Sequence, residues 1–166
     1  QDLIYLQGGD GRFARHPLPS PAQADNGFSM IIGDLEGDGR PDLASDGLTG
    51  ALLLRENISE AAEDTHAFTL TLAPTLSGSP ATGARIQASC GGPPQTRQLT
   101  SGGQMGAQGS HDVHLALSGC SAQETTLRVT FPSGATSALE LSREDTLVTV
   151  SEGPWARLDA AGAVHL

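Results

Sequence analysis

The sequence predicts an all-β protein in two parts: a short unit of strands around an acidic loop, packed on or linked to a C-terminal antiparallel β-sandwich. Three observations lead there. Short segments that alternate polar with apolar residues recur along the chain, the period of half-buried strands. Clusters of Gly, Pro and Ser separate them, and the 21 glycines and 10 prolines are dispersed rather than concentrated, which suits a turn-rich fold and not a disordered one. Aromatic residues make up only 4% of the 166, so the core has to come mostly from Leu, Val, Ile and Ala in one or two small domains.

The first strong element is 27–33, Gly-Phe-Ser-Met-Ile-Ile-Gly, read as a buried strand. It leads into Asp34-Leu35-Glu36-Gly37-Asp38-Gly39-Arg40-Pro41-Asp42, with carboxylates at relative positions 1, 3, 5 and 9 and glycine at 6. Anionic side chains crowded into one tight loop repel each other unless a hard dication with oxygen ligands sits among them. Calcium is the expected ion. By analogy with other calcium loops, Asp34, Glu36 and Asp38 supply side-chain oxygens, Arg40 its carbonyl, and Asp42 the closing carboxylate, directly or through water, while Gly39 permits the sharp turn. The loop is not an EF-hand, because relative position 12 is Ser45 instead of a bidentate glutamate and the strand-like Asp42-Leu43-Ala44 follows in place of a helix. The alternative is an acidic, solvated turn without metal. A turn at Asp46-Gly47 and a strand over 50–57 complete the series strand, loop, strand, strand, the make-up of one propeller blade.

Residues 57–64 read as a polar connector, in which Glu60, Glu63 and Asp64, with the neighbouring Glu56, are solvated acids rather than a hydrolase pair. Asn57-Ile58-Ser59 also fits the N-glycosylation acceptor pattern, which matters in a eukaryotic secretory host. Strands are then expected at 67–72, 84–88, 96–99, 111–117, 126–131, 137–141 and 146–150. Turns are expected at Ser77-Gly78-Ser79-Pro80, Gly91-Gly92-Pro93-Pro94, Ser101-Gly102-Gly103 and Pro132-Ser133-Gly134. Such strands stack as two sheets with one inner face each. Ala156-Arg157-Leu158 and Ala163-Val164-His165-Leu166, around Ala161-Gly162, suggest a final short hairpin.

Cys90 and Cys120 are the only cysteines, and each follows a strand, so a disulfide is expected, with two buried thiols as the alternative. A zinc site has little support: neither cysteine has a C-x-x-C partner, and His111 and His114 are oddly spaced on a strand, which sends them to opposite faces. His114 is expected within or beside the core. Arg85, at a strand start after Gly83, is expected to anchor the sandwich to the blade through a carboxylate, a surface ligand contact being the alternative.

The formal net charge of -10 argues against nucleic acid or an anionic membrane as partner. All nine cationic side chains are arginine, which rules out a P-loop or Schiff-base lysine. The chain has no G-x-S-x-G, no H-E-x-x-H and no G-x-G-x-x-G after a strand, so no enzyme is expected. No apolar run approaches the roughly 20 residues of a membrane span, so no membrane insertion is expected. Gln1 opens the chain without a signal peptide, and a leader removed earlier is compatible with this.

The acidic loop with its flanking strands resembles the FG-GAP/VCBS repeats of integrin-type β-propellers, whose loops have the form D-x-D/N-x-D-G-x-x-D followed by leucine. Glu36 departs from that pattern. Leu3-Ile4-Tyr5-Leu6-Gln7-Gly8-Gly9-Asp10-Gly11-Arg12-Phe13 is similar to the stretch between blades in that family. One complete loop is present and a propeller ring needs several blades, so the chain is expected to be the C-terminal part of a longer protein. Further on, Gly83-Ala84-Arg85, Ser101-Gly102-Gly103 with Gln108, Val113-His114-Leu115-Ala116-Leu117, Phe131-Pro132-Ser133-Gly134 and Val150-Ser151-Glu152 resemble in order the landmarks of the ASPIC/UnbV domain. Leu115-Ala116 stands where that family has Phe-Gly, and Phe131 where it has Trp, exchanges a core tolerates. The expected layout is a blade with the end of a preceding repeat over 1–57, a connector over 58–65, the sandwich over 66–152 and a tail over 153–166. The resemblance implies a secreted or cell-surface calcium-binding module for adhesion or scaffolding, with a protein or glycan partner. A lectin-like module or an accessory domain of a secreted hydrolase is the alternative. The scarcity of aromatics, with the lone Trp155 beyond the matched domain, argues against a sugar platform.

Overall fold

The computed structural model describes residues 3–17, 27–47, 50, 52–60, 63–102, 108–120, 124–153, 157–158 and 164–165, and among them there is no helix. Fourteen strands follow in chain order: β1 Leu3–Gln7, β2 Phe13–Pro17, β3 Gly27–Gly33, β4 Asp42–Gly47, β5 Leu52–Arg55, β6 His66–Ala73, β7 Arg85–Ser89, β8 Gln95–Gln98, β9 Val113–Leu117, β10 Thr125–Thr130, β11 Thr136–Leu141, β12 Leu147–Ser151, β13 Arg157–Leu158 and β14 Val164–His165. The expected final hairpin is present as β13 with β14. Gly103, Trp155, Ala156, 161–163 and Leu166, which carried sequence expectations, lie outside the described residues.

β1 and β2 pair as an antiparallel hairpin around a turn at Gly8–Gly11, where Gly11 takes a φ of 77°. The next three strands form an antiparallel sheet in the order β3-β4-β5, the expected blade-like unit. One expectation fails here. Met30, Ile31 and Ile32 of β3 are exposed, as are Leu52 and Leu54 of β5. Their apolar character fits a strand covered on both faces, and here these side chains are left open.

The sandwich is made of two sheets, β11-β10-β7-β8 and β12-β6-β9. Alternation decides which side chains point inward: His66, Phe68, Leu70 and Leu72 of β6 are buried beside Val148 and Val150 of β12, and Thr125, Leu127 and Val129 of β10 face them with Leu139 and Leu141 of β11. Full burial of a Phe, Leu or Ile side chain contributes roughly 1.5–3 kcal/mol, and Phe68, Leu70, Ile86, Leu115 and Leu127 are all in that position. The core histidine is His66, not His114. The His66 Nε2–H donates to the Asp145 carbonyl at 3.1 Å, which leaves Nδ1 to accept the Thr125 hydroxyl at 2.7 Å, so a buried polar ring is fully satisfied.

The sheets are antiparallel with one exception that the alternation does not reveal. β12 runs parallel to β6. After β11 the chain turns through Ser142–Asp145, where the Asp145 carboxylate accepts the Ser142 N–H at 2.7 Å, and crosses to the other sheet. It arrives at the end where β6 begins, the Thr146 carbonyl accepting the Thr69 N–H at 2.8 Å, and from there it has to run in the same direction as β6.

Cys90 and Cys120 form the expected disulfide, 30 residues apart in sequence. Cys90 follows β7 of one sheet and Cys120 follows β9 of the other, so the bridge ties the two layers together at one end.

Candidate functional site

The acidic loop leaves β3 at Gly33 and returns into β4 at Asp42, which pair with each other at the end of the ladder. Its backbone turns at Gly37 (φ 78°) and Gly39 (φ 84°), left-handed values that side chains with a Cβ rarely adopt. Gly39 was expected from the spacing; Gly37 was not.

The carboxylates organise the loop. Asp34 Oδ1 accepts the N–H groups of Gly37 (2.8 Å) and Asp38 (3.1 Å), and its Oδ2 accepts that of Gly39 (2.9 Å). Asp42, buried at 3% exposure, accepts the Leu35 N–H on Oδ2 and the Asn57 N–H on Oδ1, both at 2.8 Å. Those two bonds, from Asn57 first and Leu35 second, hold its pKa below the ordinary carboxylate value. Asp38 accepts the Arg40 N–H at 2.8 Å and forms an ion pair with the Arg40 guanidinium. Glu36 is left over: its side chain is exposed, and local desolvation followed by repulsion from Glu56, Asp38 and Asp42 raises its pKa, with Arg40 acting in the opposite sense.

The expected ligands Asp34, Glu36, Asp38, Arg40 and Asp42 are therefore on one loop, but their oxygens are turned mainly onto backbone N–H groups and Arg40. Among the described residues no group of three His, Cys, Asp or Glu side chains is gathered around a metal-sized space. The donor set itself fits a hard dication, since it is all oxygen and carries more negative charge than Arg40 balances. The same Arg40 leaves its Nε buried without a hydrogen-bond partner, so its pairing with Asp38 is an incomplete fit.

Other expected residues stand elsewhere than the sequence suggested. Arg85 is exposed, and the ion pairs among the described residues are Arg12 with Asp10 and Arg40 with Asp38, so Arg85 is not the anchor between blade and sandwich. The connector is tied through backbone groups instead. Near the blade, Arg40 donates to the Ser59 carbonyl at 3.5 Å; near the sandwich, Arg143 donates to the carbonyls of Glu63 and Thr65, and the Cys120 N–H donates to the Asp64 carbonyl at 2.8 Å. Asn57 of the glycosylation pattern is occupied locally, its Nδ2 donating to the Pro41 carbonyl and its Oδ1 accepting from Ser59. His111 is only half-buried, its Nε2 2.9 Å from Gln108 Nε2, while His114 is half-buried on the outer face of the sandwich, where burial lowers its pKa and Asp34 counteracts.

Family models match the chain in two places. Residues 75–156 match ASPIC and UnbV. Residues 1–45 match an FG-GAP-like repeat. The chain joins an FG-GAP-like repeat to an ASPIC and UnbV domain. No curated protein matches it. This combination is that of integrin-like extracellular modules, and among the described residues no helix is long and apolar enough to cross a membrane.

Within the ASPIC and UnbV domain the scattered landmarks meet in space. Gly83 takes a φ of 98° and its N–H donates to the Leu99 carbonyl, which seats Ala84 in the core. The Phe131–Gly134 turn and the Val150–Glu152 strand end come together through Glu152, a carboxylate only 4% exposed. Its Oε2 accepts the N–H groups of Thr75 (2.8 Å), Leu76 (2.7 Å) and Ser77 (2.7 Å), and its Oε1 accepts the hydroxyls of Ser77 (2.6 Å) and Ser133. Burial by itself would raise the Glu152 pKa; the hydroxyls of Ser133 and Ser77 and the N–H groups outweigh it and hold the value at about 2. In the sequence Glu152 stood out only as a landmark. A signal was there, since Val148, Val150 and Glu152 share the inward parity of one strand, and an acid at an inward position has to find donors.

Proposed function

We propose that the chain is a non-catalytic, extracellular calcium-binding module for adhesion or scaffolding, part of a larger integrin-like protein. The observation that carries this is the Asp34–Asp42 loop, which places four carboxylates within nine residues on an FG-GAP-like repeat. Asp34, Glu36, Asp38 and Asp42, with the Arg40 carbonyl, would hold the ion. Bound calcium supplies positive charge that offsets the mutual repulsion of these groups and fixes the loop.

Asp42 spans Leu35 and Asn57, so the loop, the end of the blade and the start of the connector are one hydrogen-bonded unit. Fixing the loop therefore fixes how the connector leaves it. Arg40 is the internal competitor, as its guanidinium occupies Asp38.

Calorimetric titration of chelator-stripped protein with calcium and with magnesium tests the proposal. The expected result is one site of micromolar to millimolar affinity with little response to magnesium, lost in Asp34→Ala. Absence of heat with calcium would reduce the loop to an acidic turn closed by its own N–H groups and Arg40.

A further inference from the structure

A groove of about 490 Å³ runs between the FG-GAP-like loop and the outer face of the β12-β6-β9 sheet. One wall is apolar, with Ile31 and Ile32 of β3 and Leu35 of the loop, and Leu147 of β12 adds to it from the sandwich side. Ile32, Leu35 and Leu147 are 57, 56 and 77% exposed, far more than core side chains of these types. Beside Leu147 the sandwich side contributes Thr69, Ser110, Asp112 and His114. Asp112 is held in place from both sides, accepting the Thr71 hydroxyl on Oδ1 and the Ser110 hydroxyl on Oδ2, each at 2.6 Å. Asp34 lies at the loop end, and among the described residues neither an arginine nor a lysine lines the groove.

We propose that this groove binds an extended peptide segment of a partner protein in which arginine or lysine alternates with apolar residues. Three features select that occupant. Among the described residues the charged side chains lining the groove are Asp112 and Asp34, with no arginine or lysine among them, inside a chain of net charge -10, so a basic partner is drawn and oriented. Aliphatic and acidic side chains line the groove together, which suits an extended segment whose apolar and basic side chains alternate. Two lining strands, β3 and β9, stand at the edges of their sheets and offer backbone groups to such a segment. A glycan is the poorer fit, because among the described residues the apolar side chains lining the groove are aliphatic. The inference rests on the reading of the chain as a binding module and not on its calcium.

The test is fluorescence anisotropy of a labelled peptide of alternating leucine and arginine, against its leucine and glutamate counterpart, with the full chain in excess chelator at physiological salt. Binding of the arginine peptide alone is expected. Asp112→Asn weakens it about tenfold, the scale of one charge-assisted contact, and Leu147→Ser, at an exposed position that does not threaten folding, weakens it several-fold. Glu140→Gln, the same loss of charge on the opposite sheet of the sandwich, leaves it unchanged. Absence of arginine-peptide binding overturns the inference, as does an equal loss in Glu140→Gln, which marks unspecific attraction to an acidic protein. Glycan-array hits abolished by Asp112→Asn, with the peptide unbound, would reassign the groove to sugar. Because calcium is withheld throughout, a failure here is distinct from a failure of the calcium titration.

Discussion

Reduction of the Cys90–Cys120 bridge should cost the ASPIC and UnbV domain a large part of its stability. The bridge spans 30 residues of sequence, and closing a loop of that length removes about 3.6 kcal/mol of chain entropy from the unfolded state at 25 °C. The segment it closes contains β8 and β9, which belong to different sheets, so without the bridge both layers lose one shared end. The Cys120 N–H bond to Asp64 adds that the same corner holds the connector. Urea unfolding followed by far-ultraviolet circular dichroism, with and without a reductant, reads the effect. With a slope on the order of 1.5 kcal/mol/M, the midpoint should fall by about 2 M. Cys90→Ser with Cys120→Ala should reproduce the shift. A loss under about 1 kcal/mol at unchanged slope would refute the loop-closure reasoning and place the stability in the shared core instead.

Two further perturbations address the buried carboxylate and the acidic loop. Glu152 has a folded-state pKa of about 2 against an ordinary 4.5, so its stabilising effect is complete above about pH 4.5 and fades as the pH falls toward 2. Glu152→Gln, which presents an amide to five donors, should therefore lower the urea midpoint strongly near pH 6 and much less near pH 3; an equal gap at both would contradict the assignment. Gly39→Ala forces a Cβ into a φ of 84° and should destabilise the blade by about 1 to 2 kcal/mol, measured as the loss of its unfolding midpoint, whereas an unchanged midpoint would mean the loop relaxes freely.

Much of this was legible in residue order because strands and turns are local objects. The seven sandwich strands lie within two residues of their expected limits; the acidic loop stood out by its residues and their spacing, the disulfide by an even pair of cysteines after strands, and the two family resemblances by their landmark residues in order. The misreadings were of a different kind. Ile31 and Ile32 look like core residues, and whether they are covered depends on a second sheet that spacing does not describe. Arg85 looked like an anchor, while the bonds that tie the connector come from Arg40, Arg143 and the backbone of Cys120.

The sequence by itself determined the all-β class, the inward parity of the sandwich strands β6, β10, β11 and β12 and the crowding of carboxylates between Asp34 and Asp42, because each depends on neighbours within a few residues. Only the tertiary structure decided that β12 runs parallel to β6, that His66 and not His114 is the core histidine, and that Glu152 joins residues 75–77 to Ser133. Those outcomes depend on which segments meet far apart in sequence, and a buried polar group is satisfied by whatever donors the packing brings to it.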